Sequence, residues 1–172
     1  VAASLNPWFT LLHTDRARRS EGLAFRRMVL DTGAECLSVA CPLCPRWRTI
    51  FYGAFAEFAR AGFKTIWVED DFRFHNHGGH GDGSWGGCFC PDHLAELRRR
   101  GASAKTREQL LANLAAEGRV HPDRLIWLDL NADTYAEVAA GLRAAVDAVD
   151  PAVKLGLMTS SIRAHTQEGR DW

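Results

Sequence analysis

Between residues 36 and 70 the hydrophobic pattern changes period twice, which limits the folds open to the chain. Residues 36–40 form a short apolar run of strand length, closed by Pro42 and Pro45. Trp47, Ile50, Phe51, Ala54, Phe55 and Phe58 then recur at helical spacing, and that stripe ends near Gly62. Residues 64–70 return to an apolar, strand-like run. Strand, helix and strand at this spacing predict a βαβ unit, and so a parallel sheet with helices on its faces.

The rest of the chain repeats these signals. Residues 91–100 and 106–117 read as helices, with Thr106 as a cap and Gln109 as its partner. Pro122 suits a first helical turn. Tyr135, Val138, Ala139, Leu142, Val146 and Val149 make a clear stripe, and residues 125–130 are read as the opening turns of that same long helix. Residues 153–158 form a further strand introduced by Pro151, and Phe25, Met28 and Val29 suggest a short helix ended by Gly33. The fold class is therefore α/β, a single domain over residues 1–172 built from parallel βα units. A complete (β/α)8 barrel needs roughly 200 residues or more. The expectation is part of such a barrel, a segment of a larger catalytic domain, with a small doubly wound sheet as the alternative.

Composition narrows the partners. Lys+Arg and Asp+Glu both number 21, so no net charge draws the chain to nucleic acid or to an anionic membrane. The basic runs at 16–19 and 98–100 lack interleaved aromatics and read as solvated helix faces. No apolar stretch is long enough to span a bilayer, and the N-terminus shows no signal-peptide pattern. The five cysteines are an odd number in a chain too large for a small secreted scaffold. They read as reduced thiols, and the expected location is cytoplasmic. Neither a Gly-rich phosphate loop nor a G-x-S-x-G motif is present.

The chemistry concentrates where the second strand ends. Glu69, Asp70 and Asp71 follow Val68 directly, with Arg73 next and then His75, Asn76 and His77. Carboxylates at the end of a buried strand are costly unless partners or function hold them there. In α/β folds the carboxyl ends of strands are also where sites are built. If the strand continues through the acids, Glu69 and Asp71 share one face and Asp70 points away. Neighbouring carboxylates raise one another's proton affinity, as a general acid requires. The alternative is a structural cluster in which the acids pair with Arg73 or cap the next helix. Trp85, in a glycine-rich loop, and Trp67 are candidate rings for stacking on a sugar, with Trp8 and Trp47 behind them. For Trp67 and Trp47 core packing is the stronger expectation.

The segments Trp67 to Arg73, His75 to His77, Trp85 to Cys90 and His93 resemble a group of bacterial glycoside-hydrolase-like proteins. So do Ala40 to Pro45 and Gly156 to Ser160. These proteins are TIM-barrel relatives of the β-galactosidases of the large retaining clan, and the resemblance runs from about Asn6 to Trp172. It implies hydrolysis of O-glycosidic bonds on a carbohydrate substrate. Glu69, Asp70 and Asp71 would be catalytic, and Arg73, His75, His77 and Trp85 would bind substrate. Two features depart from that pattern. The clan places Asn before its acid/base Glu, whereas Val68 precedes Glu69, and its nucleophile lies on a later strand than the chain is expected to reach. A part-barrel would leave strand edges open to self-association.

A second class of chemistry is visible in the same region. His75, His77, His80, Cys88, Cys90 and His93 are all metal-ligand types within nineteen residues, and Cys41 and Cys44 add a C-x-x-C pair. No second C-x-x-C completes a full zinc pattern, so the leading expectation is no metal, with zinc through Cys88, Cys90 and His93 as the alternative. That alternative implies a metal-dependent hydrolase or a zinc-stabilised domain. A third reading is a non-catalytic carbohydrate-binding module.

Overall fold

A computed structural model describes residues 3–10, 25–74, 85–159 and 169. The elements in chain order are β1 (Ser4–Leu5), β2 (Arg27–Val29), β3 (Glu35–Ala40), α1 (Pro45–Arg60) and β4 (Thr65–Val68). They continue with α2 (Pro91–Arg99), α3 (Arg107–Leu114), α4 (Pro122–Asp147) and β5 (Lys154–Leu157). The architecture is mixed α/β, with a three-stranded parallel sheet in the order β1-β4-β5. β4 lies at its centre, with Ile66 opposite Leu5 on one side and Leu155 on the other. His75 and His77, with most of the glycine-rich loop, lie outside the described residues.

The predicted helices form for the reasons their sequences gave. In α1 the stripe turns Trp47, Phe51 and Phe55 fully inward, with Trp47 stacked on Phe51 at 4.9 Å between ring centroids. Gly62 follows its end at φ +88°, a conformation that costs glycine little. Thr106 caps α3 by accepting from the Gln109 N–H, while the Gln109 side chain accepts from Lys105 N–H. Residues 125–130 do belong to one long helix, α4, which at 26 residues spans about 39 Å. Along that length α4 meets α1, α2 and α3. It thereby joins two apolar clusters, one around Phe51, Ile66, Val68 and Tyr135, the other around Phe89, Leu97, Leu110 and Trp127.

Three expectations need correction. Phe25, Met28 and Val29 do not belong to a helix; Arg27–Val29 is a strand paired antiparallel with Glu35–Ala40, and Gly33 at φ +90° lies in the turn between them. The local turn gives β3 a nearby partner, so β3 joins this hairpin and not the parallel sheet. The two strands flanking α1 therefore lie in different sheets. The strand expected over 64–70 stops at Val68, where the Phe72 N–H turns back to the Glu69 carbonyl (3.1 Å). The rule of alternating faces therefore does not extend through the three acids. Trp67 is not a core residue either. Ile66 and Val68 are buried beneath the helices, and Trp67 between them is 39% exposed. Trp47, by contrast, is in the core.

A polar anchor sets the start of α4. The buried Asp123 carboxylate accepts from the Ser103 N–H (2.8 Å), the Ala104 N–H (2.9 Å), the Ser103 hydroxyl and the Asn113 amide (2.8 Å). Burial works to raise its proton affinity, but the bonds from Ser103, Asn113 and Ala104 outweigh it and hold the carboxyl below its ordinary value. Its contribution to stability is thus present above the unfolded value of 3.8 and fades as pH falls below it. Asp123→Ala strands two backbone N–H groups and an amide, and is expected to cost about 3 kcal/mol in denaturant titration at neutral pH. At pH 3 the difference between the two proteins should shrink.

Candidate functional site

Two groups of ligand-type side chains converge among the described residues: Cys41, Cys88, Cys90 and His93, and Glu69, Asp70 and Asp71. Within each group the ligating atoms lie within 4.8 Å of one another.

The first group lies where the β2–β3 hairpin meets α2. Cys41 immediately follows β3, and its N–H donates to the Arg26 carbonyl (3.0 Å). Cys90 is the N-cap of α2, Pro91 occupies the first helical position and His93 faces inward from the first turn. Cys88 is placed by backbone pairing, because the Phe89 N–H donates to the Val29 carbonyl (2.8 Å) and the Val29 N–H donates to Cys88 Sγ (3.4 Å). All four residues are buried. Cys41 Sγ is 3.8 Å from Cys90 Sγ, and His93 Nδ1 is 3.6 Å from Cys41 Sγ and 3.3 Å from Cys90 Sγ. Four ligands around one tetrahedral zinc would stand about 3.8 Å apart for two sulfurs and about 3.5 Å apart for sulfur and nitrogen. The three separations among Cys41, Cys90 and His93 match these edges, and Cys88 Sγ lies within 4.8 Å of the other ligand atoms, so the cluster could hold a metal ion.

Without a metal the cluster shares its protons unevenly. Hydrogen bonds from Cys41 and Cys88, helped by His93, favour the Cys90 thiolate strongly. At Cys41 the Cys88 bond works downward, but the bond to Cys90, burial and the charge on Cys90 push the thiol up to about 12. Burial, then the bonds to its two partners, raise Cys88 well above the ordinary thiol value. The C-x-x-C pair divides: Cys41 joins the cluster, while Cys44 accepts the Arg26 N–H (3.3 Å). The zinc alternative named Cys88, Cys90 and His93, and the fold adds Cys41, from the C-x-x-C pair, as a fourth ligand type. The spacing Cys88, Cys90, His93 was the available signal, and only the fold brings Cys41 to it.

The acidic group stands at the carboxyl end of the central strand. Arg73 donates to Asp71 (2.6 Å) and to Asp70 (3.1 Å), and Asp71 is buried. Glu69 is half-buried and accepts the Asp71 N–H through Oε2 (2.9 Å). Burial raises its carboxyl most; the Asp71 N–H bond works downward, and Asp70 and Asp71 raise it again, to about 7. One arginine thus engages both aspartates, and the glutamate is left as the acid that holds a proton near neutrality.

Trp85 is half-buried against the second apolar cluster. Its ring meets Trp127 edge-on at 6.1 Å, Arg124 lies over it at 5.3 Å, and its N–H donates to Asp31 (3.1 Å). Gly87, just before Cys88, has φ +135°, and a Cβ there would sit 2.7 Å from Trp127 Cζ2. Gly87→Ala combines an unfavourable backbone with overpacking, and is expected to lower stability by about 2 to 4 kcal/mol in chemical denaturation.

Fold and site together define a mixed α/β chain with a buried three-cysteine, one-histidine cluster and an acid-bearing strand end. No protein-family model matches this chain, and neither a curated protein nor a solved structure does. No helix among the described residues is long and apolar enough to cross a membrane.

Proposed function

We propose that this chain supplies the acid-bearing part of a carbohydrate-active hydrolase, with Glu69 as the proton donor and a structural zinc ion bracing the region beside it. The observation that carries the reading is Glu69 itself, a carboxyl with its proton affinity raised to about 7, at the end of the central strand of a parallel sheet. Cleaving a glycosidic bond requires an acid that is still protonated at working pH to release the leaving oxygen. Asp70 and Asp71 raise that proton affinity by charge, and Arg73 donates to both and holds them in place. A second carboxylate, as nucleophile or base, is part of this chemistry, and both aspartates are already engaged by Arg73. His75, His77 and Trp85 remain proposed substrate contacts on the resemblance alone.

The zinc assignment follows from the donor set. Three cysteine sulfurs and one imidazole, with Cys41, Cys90 and His93 at tetrahedral edge distances, suit zinc. Four buried protein ligands leave no open position for water or substrate, which favours a structural ion over a metal-dependent hydrolase. The ion would tie β2, β3 and the start of α2 together.

The test is turnover of aryl glycosides by the protein and by Glu69→Gln. Loss of turnover with sugar binding retained supports the reading. Full activity in Glu69→Gln rejects it, and binding without turnover in the parent protein points to a binding module.

A further inference from the structure

Phe74 joins the two candidate sites, and the chemistry of neither has used it. We propose that Phe74 is a positioning residue shared by both: it orients the His93 ring toward a metal ion and holds the segment that carries Glu69, so that zinc occupancy keeps the acidic strand end ordered. The proposal rests on the zinc reading of the cysteine–histidine cluster and does not need the acid role of Glu69.

Residues 69–74 belong to neither helix nor strand, so tertiary contacts must hold them in place. The backbone ties Glu69 into this segment. Its carbonyl accepts the Phe72 N–H (3.1 Å), and its Oε2 accepts the Asp71 N–H (2.9 Å). Two buried rings, Phe72 and Phe74, anchor the segment, and they meet on one residue of α4. Phe72 stands edge-on to Tyr135 at 5.4 Å between ring centroids, and Phe74 lies tilted against it at 4.8 Å. Close-packed rings leave little free volume, so a displacement of one is felt by the next.

Phe74 also makes two contacts with the segment that carries the cluster. Its ring stands edge-on to His93, with 6.0 Å between centroids and 83° between planes. Its carbonyl accepts the N–H of Gly87 (3.3 Å), which immediately precedes Cys88. The ring contact matters for the ligand. His93 Nδ1 lies against Cys41 and Cys90, while Nε2 is buried with no hydrogen-bond partner among the described residues. A metal-binding imidazole ordinarily has its second nitrogen hydrogen-bonded, and that bond fixes the ring. Here packing on Phe74 takes over that role. His93 and Cys88, once joined at one ion, are fixed relative to each other, and with them both contacts of Phe74 on that side. Coupling of this kind is reciprocal: what the ion does for the segment, the segment does for the ion.

The test compares the zinc-loaded chain with the same chain stripped by a chelator, with zinc content followed by elemental analysis. Hydrogen exchange read by mass spectrometry reports the order of residues 69–74. Fluorine NMR of fluorotyrosine-labelled protein reports Tyr135, whose resonance is the one that remains in Tyr52→Phe, since the chain has two tyrosines. Zinc removal is expected to speed exchange at 69–74 about tenfold and to shift Tyr135, with residues 107–114 of α3 unchanged. Phe74→Leu should bind zinc about tenfold more weakly in competition with a chromogenic chelator. At saturating zinc it should still exchange faster at 69–74. Phe55→Leu removes an equally buried ring, whose partners are Phe51 and Phe58, and should change neither exchange at 69–74 nor zinc affinity. Equal exchange at 69–74 with and without zinc overturns the proposal, as does parent-like zinc affinity in Phe74→Leu. If Phe74→Leu does not fold, the comparison in the parent chain still decides. A rise in exchange as large at 107–114 would report loss of the whole fold and would also overturn the link. A chain that takes up no zinc removes the zinc reading and the role of Phe74 together. Full turnover in Glu69→Gln removes the acid role alone and leaves the link between Phe74 and the cluster standing.

Discussion

Cys90→Ser is expected to abolish binding of the proposed zinc ion and to lower the thermal midpoint by about 10 °C. Cys90 caps α2 and lies within contact distance of both Cys41 and His93, so its loss opens the cluster at its centre. A ligand held only by the folded state stabilises it by about 4 kcal/mol when its free concentration is a thousandfold above Kd. For a chain of this size that energy corresponds to roughly 8 to 16 °C. Serine does not replace the lost thiolate as a soft ligand. Cys41→Ser should behave alike. Cys44→Ser and Cys36→Ser, buried but outside the cluster, should keep one metal ion per chain. Elemental analysis after reconstitution with zinc, together with thermal melts, makes the comparison. Equal metal content in Cys90→Ser and the parent would remove the structural ion from the account.

The second large effect is on turnover. Glu69→Gln is expected to lower kcat by a factor of about a hundred to ten thousand, the usual contribution of a positioned general acid. In the parent, kcat/KM should fall as pH rises through about 7, because Glu69 then loses the proton it donates. The same shift affects stability with a definite sign. A carboxyl that holds its proton more tightly when folded, at about 7 against an ordinary 4.5, favours the folded state while it is protonated. That contribution is fully present below 4.5 and is lost as pH climbs to about 7. Glutamine cannot titrate, so Glu69→Gln should melt close to the parent at pH 4 and above it at pH 8. A variant that loses both activity and stability at every pH would point to a structural role for Glu69.

Much of this molecule was legible from local pattern. The long α4, the capped α3 and the Trp47 to Phe58 stripe of α1 follow from residues close in sequence, because a helix satisfies its backbone within itself. Thr106 with Gln109, and Gly62 past the end of α1, are equally local. The run from Thr65 to Arg73 is local too, an apolar strand that ends in charge and must resolve its burial there. Strand partners were less accessible. β3 has the composition of a sheet strand, and nothing within it says that its neighbour is β2 and not β4.

The candidate sites divide along the same line. The sequence alone placed Cys88, Cys90 and His93 on one short segment, and Glu69, Asp70 and Asp71 in one run. Tertiary structure decided the rest. It brought Cys41 to Cys90 across 49 residues, and it ended β4 at Val68, past which Arg73 engages both aspartates. It also left Trp67 39% exposed, on the side of β4 away from the buried Ile66 and Val68. Residues close in sequence announce themselves through periodicity and spacing. Ligands far apart in sequence, and the face of a strand that remains uncovered, depend on which elements pack together, and that is settled by the free energy of the whole chain.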